Sequence, residues 1–141
     1  RESKIMAVPA HGMPEDRLGQ ARPRIRILLG HDQRLGPGKF DLLEAIGRTG
    51  SISAAGRQLG MSYRRAWLLV DQVNRMFLEP VVIASAGGSN GGGALLTEFG
   101  QGLLQAYRRL ETRTQQAIAE EFAPFEAALA EAQRAAPDET A

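Results

Sequence analysis

Apolar positions recur along this chain at two periods, near two and near 3.6 residues, and each change of period marks a junction between elements. Residues 1–23 follow neither period and are interrupted by Pro9, Pro14 and Pro23, which predicts a flexible N-terminal arm. Arg24-Ile25-Arg26-Ile27 alternates polar with apolar and leads into Leu28-Leu29, predicting a strand over residues 24–29. A loop is expected over 31–38, marked by Gly36-Pro37-Gly38. Phe40, Leu42, Leu43 and Ile46 then fall at helical spacing, so a first helix is predicted over 39–48, stopped by Gly50. Ser51 or Ser53 can cap a short second helix reaching Leu59. Gly60-Met61-Ser62 reads as a tight turn, with Ser62 capping a third helix to about Phe77. Ala66, Leu69, Val70, Val73 and Phe77 share one face of that helix, and Arg64, Arg65, Leu68, Asp71, Gln72 and Arg75 lie largely on others.

Beyond Pro80 the pattern shortens. Val81-Val82-Ile83 is a β-branched run, residues 86–93 are rich in glycine, and Ala94-Leu95-Leu96 returns, which predicts a hairpin with a long tip. Thr97 is placed to cap a long helix over 98–123, where Phe99, Leu103, Tyr107, Leu110, Thr114, Ile118 and Phe122 repeat at steps of three and four. A helix of that length overhangs a small domain. Phe99, Leu103, Tyr107, Leu110, Ile118 and Phe122 are therefore expected at a dimer interface with a two-fold mate. Pro124 either ends this helix or opens another that carries Phe125 and Leu129.

The expected organisation is an arm over 1–23, a DNA-binding domain over 24–96, a pairing helix with its helical extension over 97–135, and a disordered tail over 136–141. The fold class is α+β, mainly α: strand, helix, helix, tight turn, helix and hairpin make a winged helix-turn-helix, with an N-terminal strand, a β-hairpin wing and a long C-terminal dimerisation helix. Ala54, Ala55 and Gly56 are small enough for the third helix to cross the second closely. Leu59, Met61, Ala66 and Leu69 or Val70 would fill the angle between them.

Charge sharpens this picture. The formal net charge is only +1, yet residues 17–75 hold eleven basic residues against four acids, and residues 110–141 hold two against seven. A basic half followed by an acidic tail suits a nucleic-acid binder. The third helix would present Ser62, Tyr63, Arg64 and Arg65 to a major groove, where arginine can pair bidentately with guanine. Ser51 and Ser53 at the second helix start suit phosphate, and Ser89 and Asn90 on the glycine-rich tip offer polar contacts to the backbone or minor groove. Arg48 and Arg57 are expected to face either solvent or phosphate, and Arg24 and Arg26 either to lie on an exposed strand face or to contact backbone phosphates. Trp67 is expected to pack against the wing or first helix with its N–H at the groove edge.

Several classes drop out. The chain has no cysteine, and His11 and His31 lack partners at ligand spacing, so no metal site and no cofactor are expected. The glycine run leads into a strand without the Gly-Lys-Ser/Thr ending of a nucleotide loop. No nucleophile–base pair stands out, so the protein is not expected to be an enzyme. The apolar runs fall far short of the roughly 20 residues of a spanning helix, and the first residues lack the apolar core of a secretory signal. A cytoplasmic, nucleoid-associated location is the expectation.

Two longer segments, Ala45-Ile46-Gly47-Arg48-Thr49-Gly50-Ser51-Ile52-Ser53-Ala54-Ala55 and Gly60-Met61-Ser62-Tyr63-Arg64-Arg65-Ala66-Trp67, together with the run from Gly87 to Gly100, resemble the N-terminal DNA-binding domain of the molybdate-responsive regulator family ModE. The resemblance covers about residues 24–111. It implies a domain related to the LysR-type winged helix and a long helix after the wing that pairs two subunits. Full-length members continue into two β-rich repeats that bind molybdate or tungstate. Nothing β-rich follows Phe122, so a single-domain relative is expected, without molybdate or tungstate binding of that type.

Together these features predict a homodimeric, sequence-specific transcriptional regulator on a palindromic or pseudo-palindromic site in double-stranded DNA, with molybdenum-related target genes implied by the resemblance alone. Two other functions fit the same scaffold: an architectural protein of low sequence specificity, or a protein-interaction module.

Overall fold

A computed structural model of the chain describes residues 17–85 and 93–130. They divide into two compact units, Pro23–Thr112 and a second one built from segments of Arg1–Arg22 and Arg113–Ala141. The first unit is mainly α with two small antiparallel sheets.

Strand β1 (Ile27–Leu29) pairs with β2 (Gln33–Leu35). The single strand expected over 24–29 is thus shorter, and part of the expected loop over 31–38 is a second strand. Gly30-His31-Asp32 makes the reversal, with His31 and Asp32 both at positive φ, 59° and 64°. Aspartate tolerates this region because its short polar side chain can bond locally. Helix α1 (Pro37–Thr49) starts two residues before the expected point, since proline suits a position where no helical N–H is needed. It ends at Gly50, whose φ of 74° and N–H bond to the Ile46 carbonyl close the last turn.

Helix α2 (Ile52–Gln58) begins at Ser51, whose hydroxyl accepts the Ala54 N–H at 3.0 Å. Helix α3 (Tyr63–Met76) begins at Ser62 in the same way, with the Arg65 N–H at 3.0 Å. Gly60 turns the chain between them at φ 73°, where a side chain would be strained. A Cβ placed on Gly56 would lie 3.0 Å from that of Ala66, so the two helices cross as closely as the small residues predicted. Leu59 does not fill the angle; it caps α2 and is exposed, and half-buried Met61 takes that role.

The core gathers Phe40, Leu42, Leu43 and Ile46 from α1, Ile52 from α2, and Leu69, Val70 and Val73 from α3. Val81 and Val82 cover it from one side. At roughly 1.5–3 kcal/mol per buried large aliphatic side chain, this cluster is the main stabilising element of the unit. Strands β3 (Val82–Ser85) and β4 (Gly93–Leu96) form the second hairpin. Its tip, with Ser89 and Asn90, lies outside the described residues, as do most of the N-terminal arm and the C-terminal tail.

Thr97 caps the long helix α4 (Glu98–Glu121): its hydroxyl accepts the Gly100 N–H at 2.9 Å and donates to the Pro80 carbonyl at 2.7 Å. Twenty-four residues span about 36 Å. The helix stops two residues short of the expected end and gives way to a 3-10 helix, Ala123–Ala128, with Pro124 in its first turn. In the second unit, the Arg17 guanidinium donates to the Ala130 carbonyl and the Gln115 amide to the Gly19 carbonyl.

Candidate nucleic-acid interface

The N-terminal end of α3 stands clear of the core. Tyr63, Arg64 and Arg65 are all exposed, Tyr63 by 61%. Because Ser62 satisfies the Arg65 N–H, the first turn is held without using any of these three side chains. No acid occupies the first turn, so nothing there neutralises the helix end or the two guanidinium groups.

Trp67 lies on the outward surface: it is 46% exposed and meets Tyr63 edge-on, with ring centroids 6.1 Å apart. The reason is angular. Ala66 faces the core, and a residue one position further on turns by about 100°. The exposed Leu68 continues the same outward surface.

At the second helix start, Ser51 is committed to capping and Ser53 accepts from Arg57 at 3.0 Å. Arg48 donates to the Gln58 side chain at 2.8 Å. Among the described residues no carboxylate pairs with either guanidinium.

The hairpin is bound to the helices by three polar devices. Asn74, on α3, accepts the N–H groups of Val81 and Val82 at 2.7 and 3.1 Å and donates to the Val82 carbonyl at 3.0 Å. The Ala94 N–H reaches the Gly50 carbonyl at 2.9 Å. Thr97 holds the segment that leads into β3 through Pro80, as above. Sequence reasoning passed over Asn74 as one polar residue on a helix. Only an asparagine near the end of a helix, followed within eight residues by a β-branched run, hinted at it.

The residues expected at a dimer interface separate. Tyr107 is a core residue of its own chain: it is 3% exposed, its ring stacks on Phe40 and its hydroxyl donates to the Ile25 carbonyl. Burial is the first cause that pushes its pKa up, followed by the nearby Glu111 carboxylate. Phe99 and Leu103 are half-buried against the same core, Phe99 meeting Phe77 edge-on. Leu110 is 36% exposed, Ile118 half-buried, and Phe122 is 51% exposed beside Phe125. The α4 stripe therefore serves its own domain over its first turns, because Phe40 and Val81 lie beneath it.

Arg108 was also overlooked. Its guanidinium meets Asp41 at 3.0 Å, Glu44 at 2.7 Å and Glu111 at 3.0 Å, tying α4 to α1. Burial opposes its charge, and the bonds to Asp41, Glu111 and Glu44 more than offset this, raising its pKa above the ordinary range. Among the described residues, no group of three or more His, Asp or Glu side chains is placed to hold a metal ion, and no helix is long and apolar enough to cross a membrane.

The geometry defines a mainly α, α+β domain that presents a serine-capped, arginine-bearing helix end with a hairpin fixed to the same helix. No family model matches the chain. Among curated proteins, the chain is 46% identical over 96 residues to the molybdenum-pterin-binding protein MopB of Rhodobacter capsulatus, covering 68% of this chain and 34% of that protein. It is 42% identical over 80 residues to the molybdenum transport protein ModE of Azotobacter vinelandii, covering 57% and 30%. It is 38% identical over 82 residues to the DNA-binding transcriptional dual regulator ModE of Escherichia coli K12, covering 58% and 31%. The chain is a relative of these ModE and Mop proteins, and spans about a third of their length. Their names describe molybdenum-pterin binding, molybdenum transport and transcriptional regulation.

Proposed function

We propose that this chain is a sequence-specific DNA-binding transcriptional regulator, built on a winged helix-turn-helix and acting as a homodimer on a palindromic or pseudo-palindromic site. The observation that carries this is the end of α3, where Tyr63, Arg64 and Arg65 stand exposed on a turn that Ser62 alone holds. In a major groove, Arg64 and Arg65 reach base edges, each good bidentate pairing giving about 1–3 kcal/mol of discrimination. Ser51 and Ser53 meet phosphates, and Ser89 and Asn90, which lie outside the described residues, are proposed to contact the backbone or minor groove. The outer part of α4, with Leu110, Ile118 and Phe122, pairs two copies and sets the half-site spacing.

The name of the Escherichia coli relative, a DNA-binding transcriptional dual regulator, supports the same function. The molybdenum-related names of the other relatives make molybdenum-related genes the proposed targets. Selection of bound genomic fragments tests the proposal. Recovery of a two-fold symmetric motif is the expected result, and recovery of no motif would favour an architectural protein.

A further inference from the structure

The cations of the first unit differ in what they meet. Arg24, Arg75 and Arg108 meet carboxylates, and Arg48 and Arg57 meet neutral side chains. Arg34, Lys39 and Arg65 come from β2, the first turn of α1 and the first turn of α3, and among the described residues no carboxylate pairs with any of them.

Their placement is specific. The Lys39 ammonium donates to the Arg34 carbonyl at 3.0 Å, which folds it back onto the β1–β2 hairpin. Its pKa is lowered, first by partial burial and then by the charges of Arg34 and Arg65, so Lys39 lies in the field of both. Neither helix has an acid in its first turn. Like charges gathered without a counter-charge destabilise the folded chain and are stabilised by a bound anion. One of the three, Arg65, belongs to the base-reading end of α3, so the corner continues that surface. A polyanion lying along α3 would cross it.

We propose that Arg34 and Lys39 form a clamp on the DNA phosphate backbone beside the half-site that α3 reads through Arg64 and Arg65. This depends on the DNA-binding function proposed above. The β1–β2 hairpin thereby becomes a second grip on the duplex, opposite in kind to the base contacts: it adds affinity and carries no sequence information. Each phosphate it neutralises releases counterions and steepens the salt dependence of binding by about 0.9 in log K against log salt.

The test compares wild type with an Arg34→Gln, Lys39→Gln double variant on a selected duplex and on a shuffled duplex, by anisotropy across a salt series. The slope is expected to flatten by about 1.8 per clamp when two contacts are lost. Affinity should fall equally on both duplexes, and Lys39→Arg should retain the wild-type slope. An unchanged slope in a folded double variant, or a loss confined to the selected duplex, overturns the clamp alone. Wild type failing to bind either duplex overturns the regulator function itself. Inorganic phosphate provides a further arm: stabilisation of wild type over chloride at equal ionic strength, absent in the double variant while its DNA slope is unchanged, would make this a free-phosphate site and overturn the clamp. Melting curves of each variant establish folding, and a double variant that does not fold is replaced by Arg34→Gln alone, whose expected flattening is half as large.

Discussion

The ring of Tyr107 lies nearly parallel to that of Phe40, 3.9 Å between centroids and 11° between planes, so the long helix is docked on its own domain before it can reach a second copy. The same tyrosine closes on the Ile25 carbonyl, and the next residue, Arg108, grips Asp41 and Glu44 on α1. In the proposed dimer, any spacing that paired α4 helices would impose on the two α3 ends passes through this joint.

Tyr107→Phe should keep the stack and lose the hydroxyl bond, costing about 0.5–1.5 kcal/mol at neutral pH. The pH dependence has a definite sign. Folding raises the Tyr107 pKa above its ordinary 10.0, so the unfolded chain releases this proton first. The stability it contributes is present below pH 10 and is lost as pH rises through the folded value. Melting temperatures from pH 8 to 11 should show a fall in wild type that is smaller in Tyr107→Phe; parallel curves would contradict this.

Asn74→Leu removes the acceptor of two backbone N–H groups and the donor to one carbonyl at the base of the hairpin. Unpaired buried groups cost about 1–3 kcal/mol each, so chemical denaturation should register a loss of that order. Hydrogen exchange should locate it, with the amides of Val81 and Val82 losing protection before those of α1.

Gly100→Ala should destabilise the unit by about 1–3 kcal/mol, as overpacking does. A Cβ at this position would stand 2.3 Å from the Val81 carbonyl oxygen, which is backbone and cannot swing aside. Gly102→Ala is the control on the same helix, with nothing within 4 Å, and should be neutral or slightly stabilising in the same melts.

Arg64→Ala should relax base preference at one position of each half-site while leaving the salt slope nearly intact. Uniform weakening on all sequences would instead make Arg64 a phosphate contact.

Phe122→Glu should shift the proposed dimer to monomer in sedimentation with circular dichroism unchanged, since Phe122 is 51% exposed within the chain. Leu103→Glu is the poorer probe, because Leu103 packs on the core and its loss would confuse unfolding with dissociation.

Most helices of this protein were legible in the sequence, because what places their ends is local. Ser51, Ser62 and Thr97 bond N–H groups three residues away, and Gly50 and Gly60 supply backbone angles that other residues adopt at a cost. The exposed Tyr63-Arg64-Arg65 triplet followed from the same reasoning, since the cap and the apolar face of α3 together decide which side chains point outward. The β1–β2 hairpin was half legible: β2 has only Leu35 as a buried position, and its reversal depends on positive φ at His31 and Asp32, which carries little pattern.

Long-range partners were decided by tertiary structure alone. A stripe of apolar residues on α4 states that something covers it, but not whether that is Phe40 of the same chain or another copy; the core settled this for Tyr107 and leaves Phe122 outward. Asn74 binds strand residues seven and eight positions away, and Arg108 finds acids more than sixty positions away. Lys39 is an ordinary helix cation until folding places it against Arg34 and within the field of Arg65. Periodicity and capping act within a turn or two of chain, so the sequence by itself determined the elements and their outward faces. Pairing between distant residues depends on how those elements stack, and the tertiary structure decided that.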